Sequence, residues 1–181
     1  MSRNICITNR KLTHRPLSEQ VERAIEAGAD MVIVREKDLT EMEYADLMRQ
    51  IVPVCRRKGV PAVYHTFLKT ASEQKAQAVH LPLGILLQGR PDIPIVGASC
   101  HSPEEAEMAQ RLGADYITIS HILATDCKPG LPPRGLSLIS EVKERVSIPV
   151  YALGGITPDR IRACIEAGAD GTAMMSYYMH V

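Results

Sequence analysis

Ile165-Glu166-Ala167-Gly168-Ala169-Asp170 repeats Ile25-Glu26-Ala27-Gly28-Ala29-Asp30, and Arg111-Leu112-Gly113-Ala114-Asp115 is a weaker copy. In each copy an amphipathic run stops at a glycine, which can take the left-handed conformation that ends a helix. An aspartate follows, then an apolar run: Met31–Val34, Tyr116–Ile119 and Thr172–Met175. The phrase reads as helix, tight connection, buried strand.

A second phrase alternates with the first. Val60-Pro61-Ala62-Val63, Ile93-Pro94-Ile95-Val96 and Ile148-Pro149-Val150-Tyr151 put proline where a strand begins, before a ladder donor is required. With Asn4–Thr8 and Ala78–Leu81 they predict eight strands, at 4–8, 30–35, 61–65, 78–81, 93–97, 115–120, 149–153 and 170–175. The helix signals lie between them. Pro16–Ala27 opens on a proline. Thr40 with Glu43 forms a capping box for a helix that runs to Lys58 and stops at Gly59. Ser102-Pro103-Glu104-Glu105 is cap, proline and acidic first turn together, and Thr157-Pro158-Asp159 repeats that design. Thr70–Lys75 and Leu136–Val146 supply two more helices, while 84–92 is too brief for a full one.

Strands alternating with helices in one short chain predict an α/β fold, a single-domain (βα)8 TIM barrel over residues 1–181. The doubly wound alternative would need GxGxxG after its first strand, and none is present. Barrels usually exceed about 200 residues. Here the fourth crossover is trimmed and no eighth helix is read at Tyr177–Val181. Apolar surface on strands eight and one is then expected to face solvent and to be covered in a homo-oligomer.

Composition agrees with a parallel sheet. Of 181 residues 45% are hydrophobic and 23% charged, which excludes a disordered chain. No Trp and one Phe leave aliphatic residues to fill the core. Charges balance at 21 of each sign, so no nucleic-acid partner is expected. No apolar run reaches about 18 residues, so no membrane partner is expected either. No signal-peptide pattern precedes the first strand. Five cysteines, widely spaced and without CxxC, give no disulfide framework or zinc site, and a reducing cytoplasm fits.

A barrel places its chemistry at the carboxyl ends of its strands. At strand two, Arg35 and Lys37 alternate onto one face and form a candidate anion site. Strand seven ends Leu153-Gly154-Gly155, where glycines let backbone N–H groups approach a phosphate, and Met175-Ser176 at strand eight supplies the other half. Strand six ends at His121, a residue type suited to proton transfer, expected to point into the mouth opposite the phosphate loops. The Gly/Pro-rich segment behind it, through Arg134-Gly135, reads as a lid. Cys127 in that lid has no identifiable His partner. His101 is expected to shape its own loop, and His80 to face inward within the barrel. No pair of carboxylates occupies a strand end, so no metal is expected.

Arg35-Glu36-Lys37, Gly97-x-Ser99-x-His101, Ala152–Pro158 and Gly168–Ser176 together resemble the thiamine phosphate synthase superfamily over nearly the whole chain. One branch of that superfamily joins a pyrimidine diphosphate to a thiazole phosphate using magnesium. The other is the TenI-like thiazole tautomerase branch. The synthase pattern has Gln where Ile33 stands, Asn-Asp where His65-Thr66 stands, an acid near Leu81-Pro82-Leu83, and proline at His121. The His121 loop, with Thr125-Asp126-Cys127-Lys128, Gly130-Leu131 and Arg134-Gly135, is instead similar to the tautomerase branch, as is Val79–Pro82.

The resemblance therefore implies a cofactor-independent isomerase acting on a carboxylated thiazole phosphate. His121 would be its acid/base. Arg35, Lys37, Ser99, Thr125 and Lys128 would contact substrate, and Gly154, Gly155, Met175 and Ser176 would hold phosphate. A magnesium-dependent thiamine phosphate synthase and a non-catalytic regulator are the alternatives.

Overall fold

The structure, a computed structural model, describes residues 3–124, 130 and 132–181. Eight parallel strands close into a barrel in chain order: β1 (Arg3–Ile7), β2 (Met31–Val34), β3 (Ala62–His65), β4 (Ala78–Pro82), β5 (Ile95–Cys100), β6 (Tyr116–Ser120), β7 (Val150–Leu153) and β8 (Gly171–Met174). β8 meets β1 through Asn4–Thr172 and Cys6–Met174, which closes the sheet. The helices are α1 (Leu17–Glu26), α2 (Glu41–Arg57), α3 (Leu68–Glu73), α4 (Leu83–Leu86), α5 (Pro103–Arg111), α6 (Ser137–Lys143), α7 (Ile161–Glu166) and α8 (Ser176–His180). The (βα)8 architecture is the expected one, and its strands fall within about two residues of the proline and Gly-Ala-Asp phrases.

Local chemistry explains the elements. α1 buries Leu17, Gln20, Val21 and Ala24, one stripe at helical spacing. Thr40 and Glu43 exchange side-chain and backbone bonds as a complete capping box. Ser102 caps α5 through the Glu105 amide. Thr157 does not repeat that design: its hydroxyl donates to Asp159 Oδ1 at 2.6 Å, and the chain enters α7 through a 3-10 turn at Pro158–Arg160. Thr157 Oγ1 accepts from no helix amide, so it does not cap the turn.

The repeated phrase has a job visible only in three dimensions. Asp30 Oδ2 accepts the Asn4 amide at 2.9 Å, Asp115 Oδ2 the Val96 amide at 2.7 Å, and Asp170 Oδ2 the Val150 amide at 2.8 Å. Each aspartate amide donates back to the carbonyl of the same residue. Each aspartate thus ties the entry of an even strand to the odd strand before it.

The core has two shells. Ile5, Ile7, Ile33, Val63, Tyr116 and Tyr151 fill the barrel interior, and residues such as Val21, Tyr44, Met48, Ile117 and Ile139 pack strands against helices. Gly97 makes room inside, because a Cβ there would overlap the Tyr116 ring.

The absent eighth helix is a correction. Ser176–His180 form one helical turn, with Tyr178 and Met179 each 1% exposed. Buried Gln20 of α1 clamps that turn, donating to the carbonyls of Tyr178 at 2.8 Å and Val181 at 3.1 Å. Two large side chains cover what a longer helix would cover, so the expected apolar gap over β8 and β1 is closed within the chain. Among the described residues, no helix is long and apolar enough to cross a membrane.

Candidate active site

The carboxyl ends of the strands surround a cavity of about 530 Å³. It brings together Arg35, Lys37, Ser99, His121, Gly154, Gly155, Met175 and Ser176, residues 141 positions apart in the chain at the extremes (35 to 176). Thr125, Lys128 and Cys127, also singled out from the sequence, lie outside the described residues.

On the β2 side, alternation works as expected: Arg35 and Lys37 line the cavity. Glu36 turns away and is 2% exposed. It accepts from Thr8 Oγ1 at 2.7 Å, from the Arg10 amide at 3.0 Å and from Arg10 Nη1 at 3.1 Å. Thr8 Oγ1 in turn accepts the Arg35 amide at 3.0 Å, which fixes the backbone carrying Arg35. Arg10 also forks onto Asp38, at 2.6 and 2.9 Å, and Lys11 joins Asp38 at 2.8 Å. These cations hold the Asp38 carboxyl well below the usual carboxylate range, the Arg10 bond contributing most. Partial burial, and then the neighbouring Arg35 charge, push the Lys37 ammonium down.

Two buried histidines form the β3–β4 wall. His65 and His80 stand with ring centroids 6.0 Å apart. His65 Nδ1 pairs with Thr66 Oγ1 at 2.7 Å. His80 Nε2 meets Ser99 Oγ at 2.9 Å, and its Nδ1 meets the Tyr116 hydroxyl at 3.2 Å. Burial pushes His80 down to about 3. His65 is lower still, from burial first and then from His80, Arg35 and Lys37. Both rings are therefore neutral at neutral pH. His80 faces inward as its place among apolar neighbours predicted. That His80 grips Ser99 was not legible, because the two meet only through the β4–β5 register. His101 also lines the cavity, its Nδ1 3.1 Å from both the Ser120 carbonyl and hydroxyl oxygens.

His121 is 5% exposed and lies beside the Gly154-Gly155 loop expected to hold phosphate, not opposite it. The reason is topological: β6 and β7 are neighbours. The Ile122 amide donates to Leu153 O and the Leu123 amide to Gly154 O, both at 3.0 Å. Gly154 and Gly155 have φ of +102° and +66°. A Cβ on Gly155 would overlap the Ala124 carbonyl. The two glycines thus open backbone to the cavity and also admit the His121 segment against β7.

A thiamine monophosphate synthase family model matches residues 5–177. "Putative thiamine-phosphate synthase 2" of Aquifex aeolicus is 36% identical, over 99% of this chain and 98% of that protein. The thiamine-phosphate synthase of Syntrophomonas wolfei is 32% identical, over 96% of this chain and 86% of that protein. Among solved structures, thiamine phosphate pyrophosphorylase from Pyrococcus furiosus superposes with a TM-score of 0.86 at 29% identity, over 99% of this chain and 88% of that one. The chain belongs to the thiamine monophosphate synthase family.

Proposed function

We propose that the protein is an enzyme of thiamine biosynthesis whose cavity binds a thiazole phosphate. The reaction its lining supports best is proton-transfer isomerisation of a carboxythiazole phosphate tautomer to the aromatic form. The single observation that carries this reading is the seating of His121 against Gly154, inside a cavity whose described lining holds no Asp or Glu. Substrate phosphate lies against the backbone of Gly154, Gly155, Met175 and Ser176. Arg35 and Lys37 face the carboxylate across the cavity, beside Ser99; Thr125 and Lys128 join by resemblance. His121 takes a carbon-bound proton as the electron pair moves into the ring, and returns it at the exocyclic carbon. One group serves both half-steps, and aromatisation makes the sum downhill. General acid–base help of about 10²–10⁴-fold is sufficient.

The second reading is the transferase, thiamine-phosphate synthase, and the names of the relatives favour it over the isomerase. That reaction uses magnesium, a hard cation that takes oxygen ligands and usually one or two carboxylates. The described cavity residues do not fit it: neutral imidazoles and proline stand at the ends of β3 and β4, and no described cluster of His, Cys, Asp or Glu has a metal-binding arrangement.

Two assays separate the readings. The first supplies the non-aromatic thiazole phosphate tautomer with a chelator present. The second supplies aromatic thiazole phosphate, pyrimidine diphosphate and magnesium. Aromatised product in the first is expected. Thiamine phosphate in the second, with no turnover in the first, assigns the transferase, and inactivity in both assigns the regulator. We extend the proposal to the cytoplasm, with fractionation as its test; the covered β8–β1 face removes the ground on which a homo-oligomer was expected, and sedimentation tests that state directly.

A further inference from the structure

The sequence Arg35-Glu36-Lys37-Asp38 interleaves two cations with two anions, an arrangement that ordinarily quenches itself. Here it does not. Glu36 and Asp38 are both engaged from behind, by Arg10 and Lys11 of the β1 connection. Among the described residues, neither Arg35 nor Lys37 forms an ion pair, and both line the cavity. The nearest wall, His65 and His80, carries no charge at neutral pH. Among the described residues, the cavity therefore presents a ligand with two uncompensated positive charges on its β2 side, separate from the glycine loops on its β7–β8 side.

The geometry points to Arg10 as a specificity-determining positioning residue: by holding Glu36 and Asp38 off the cavity it keeps Arg35 and Lys37 available, and so selects ligands that carry a carboxylate in addition to a phosphate. Arg10 touches no ligand in this scheme. It acts through charge balance at the β1–β2 rim. Its fork to Asp38 matches planar carboxylate geometry, which a lysine reproduces only as a point charge. Removing the Arg10 side chain leaves Glu36 held by Thr8 and the residue-10 amide without a cation, and Asp38 paired with Lys11 alone, so one negative charge is in excess beside the anion site. This inference rests on the thiazole phosphate reading above.

The test measures binding of two probes, carboxythiazole phosphate and the same thiazole phosphate without the carboxylate. Wild-type protein is expected to prefer the first. R10Q is expected to lose about fivefold in affinity for the carboxylated probe, the scale of one unit charge at a solvated rim, and to bind the second nearly as before. R10Q/D38N restores charge balance and is expected to recover the lost affinity, which a packing defect would not. R10K is expected to lie between R10Q and wild type. A wild-type preference that persists in R10Q, or an R10Q loss not recovered in R10Q/D38N, overturns the role of Arg10 alone. Wild-type protein that binds neither probe overturns the thiazole phosphate reading and this inference with it.

Discussion

A Cβ built on Gly154 falls 2.5 Å from the Cβ of His121 and 2.8 Å from its Cα. The candidate acid/base and the candidate phosphate loop are therefore one packed unit. Gly154→Ala must move one against the other and also strain a φ of +102°. The strain alone costs about 1–3 kcal/mol. A lower melting temperature and a fall in turnover of about tenfold or more are expected. A variant with wild-type melting and turnover would show that the contact is slack.

His121→Gln keeps polarity and approximate size but cannot shuttle a proton near neutral pH. Tautomerisation is expected to fall at least about tenfold, or about 1.4 kcal/mol of transition-state stabilisation. Phosphate affinity is expected to change little, since the backbone of Gly155 and Ser176 is untouched. Wild-type turnover in this variant would remove His121 from the chemistry.

His65 and His80 make stability pH-dependent. Their folded-state values lie below the ordinary 6.5. As pH falls below about 6.5 the unfolded chain takes up protons that the folded chain refuses, so stability is full above that point and lost below it. The slope is about 1 kcal/mol per pH unit for each histidine. Denaturation midpoints at pH 7 and pH 5 read this directly, before most carboxylates titrate. His80→Gln is expected to reduce the slope by about half, and an unchanged slope would count against the burial of a neutral ring.

Tyr178 tests the last helical turn. Its ring is 1% exposed and packs edge-on to Tyr177 at 5.0 Å. Truncation of a buried aromatic to alanine costs about 3–5 kcal/mol. Tyr178→Ala is expected to lose that much in chemical denaturation. A loss below about 1 kcal/mol would mean that the turn covers nothing.

Much of the fold was legible because it is periodic and local. Gly168 stops a helix, Thr40 reads Glu43 three residues away, and proline marks strand entry. The cavity followed from one general property of barrels applied to Arg35, His121 and Gly154. What stayed hidden depends on contacts across the barrel. Gln20 reads as an ordinary helix residue until it reaches Tyr178. Thr157 reads as a cap until Asp159 takes its hydroxyl. Glu36 and Arg10 are 26 residues apart and meet only because β1 and β2 are paired. The sequence puts His121 across from the candidate phosphate loop because a strand-end position gives depth in the barrel, whereas bearing around its circumference comes from strand order.

The aspartate ties divide the rim remote from the cavity into couples: β1 with β2, β5 with β6, and β7 with β8. Among the described residues, no such aspartate links β2 to β3, β3 to β4, β4 to β5, β6 to β7 or β8 to β1. The ring thus holds three tied couples, with β3 and β4 standing between them untied. New termini cut at Lys58-Gly59, after α2, would spare every couple and leave the cavity face untouched, so a circular permutant opened there should keep its site. The aspartate ties thus sit at one end of the barrel, and the cavity opens at the other.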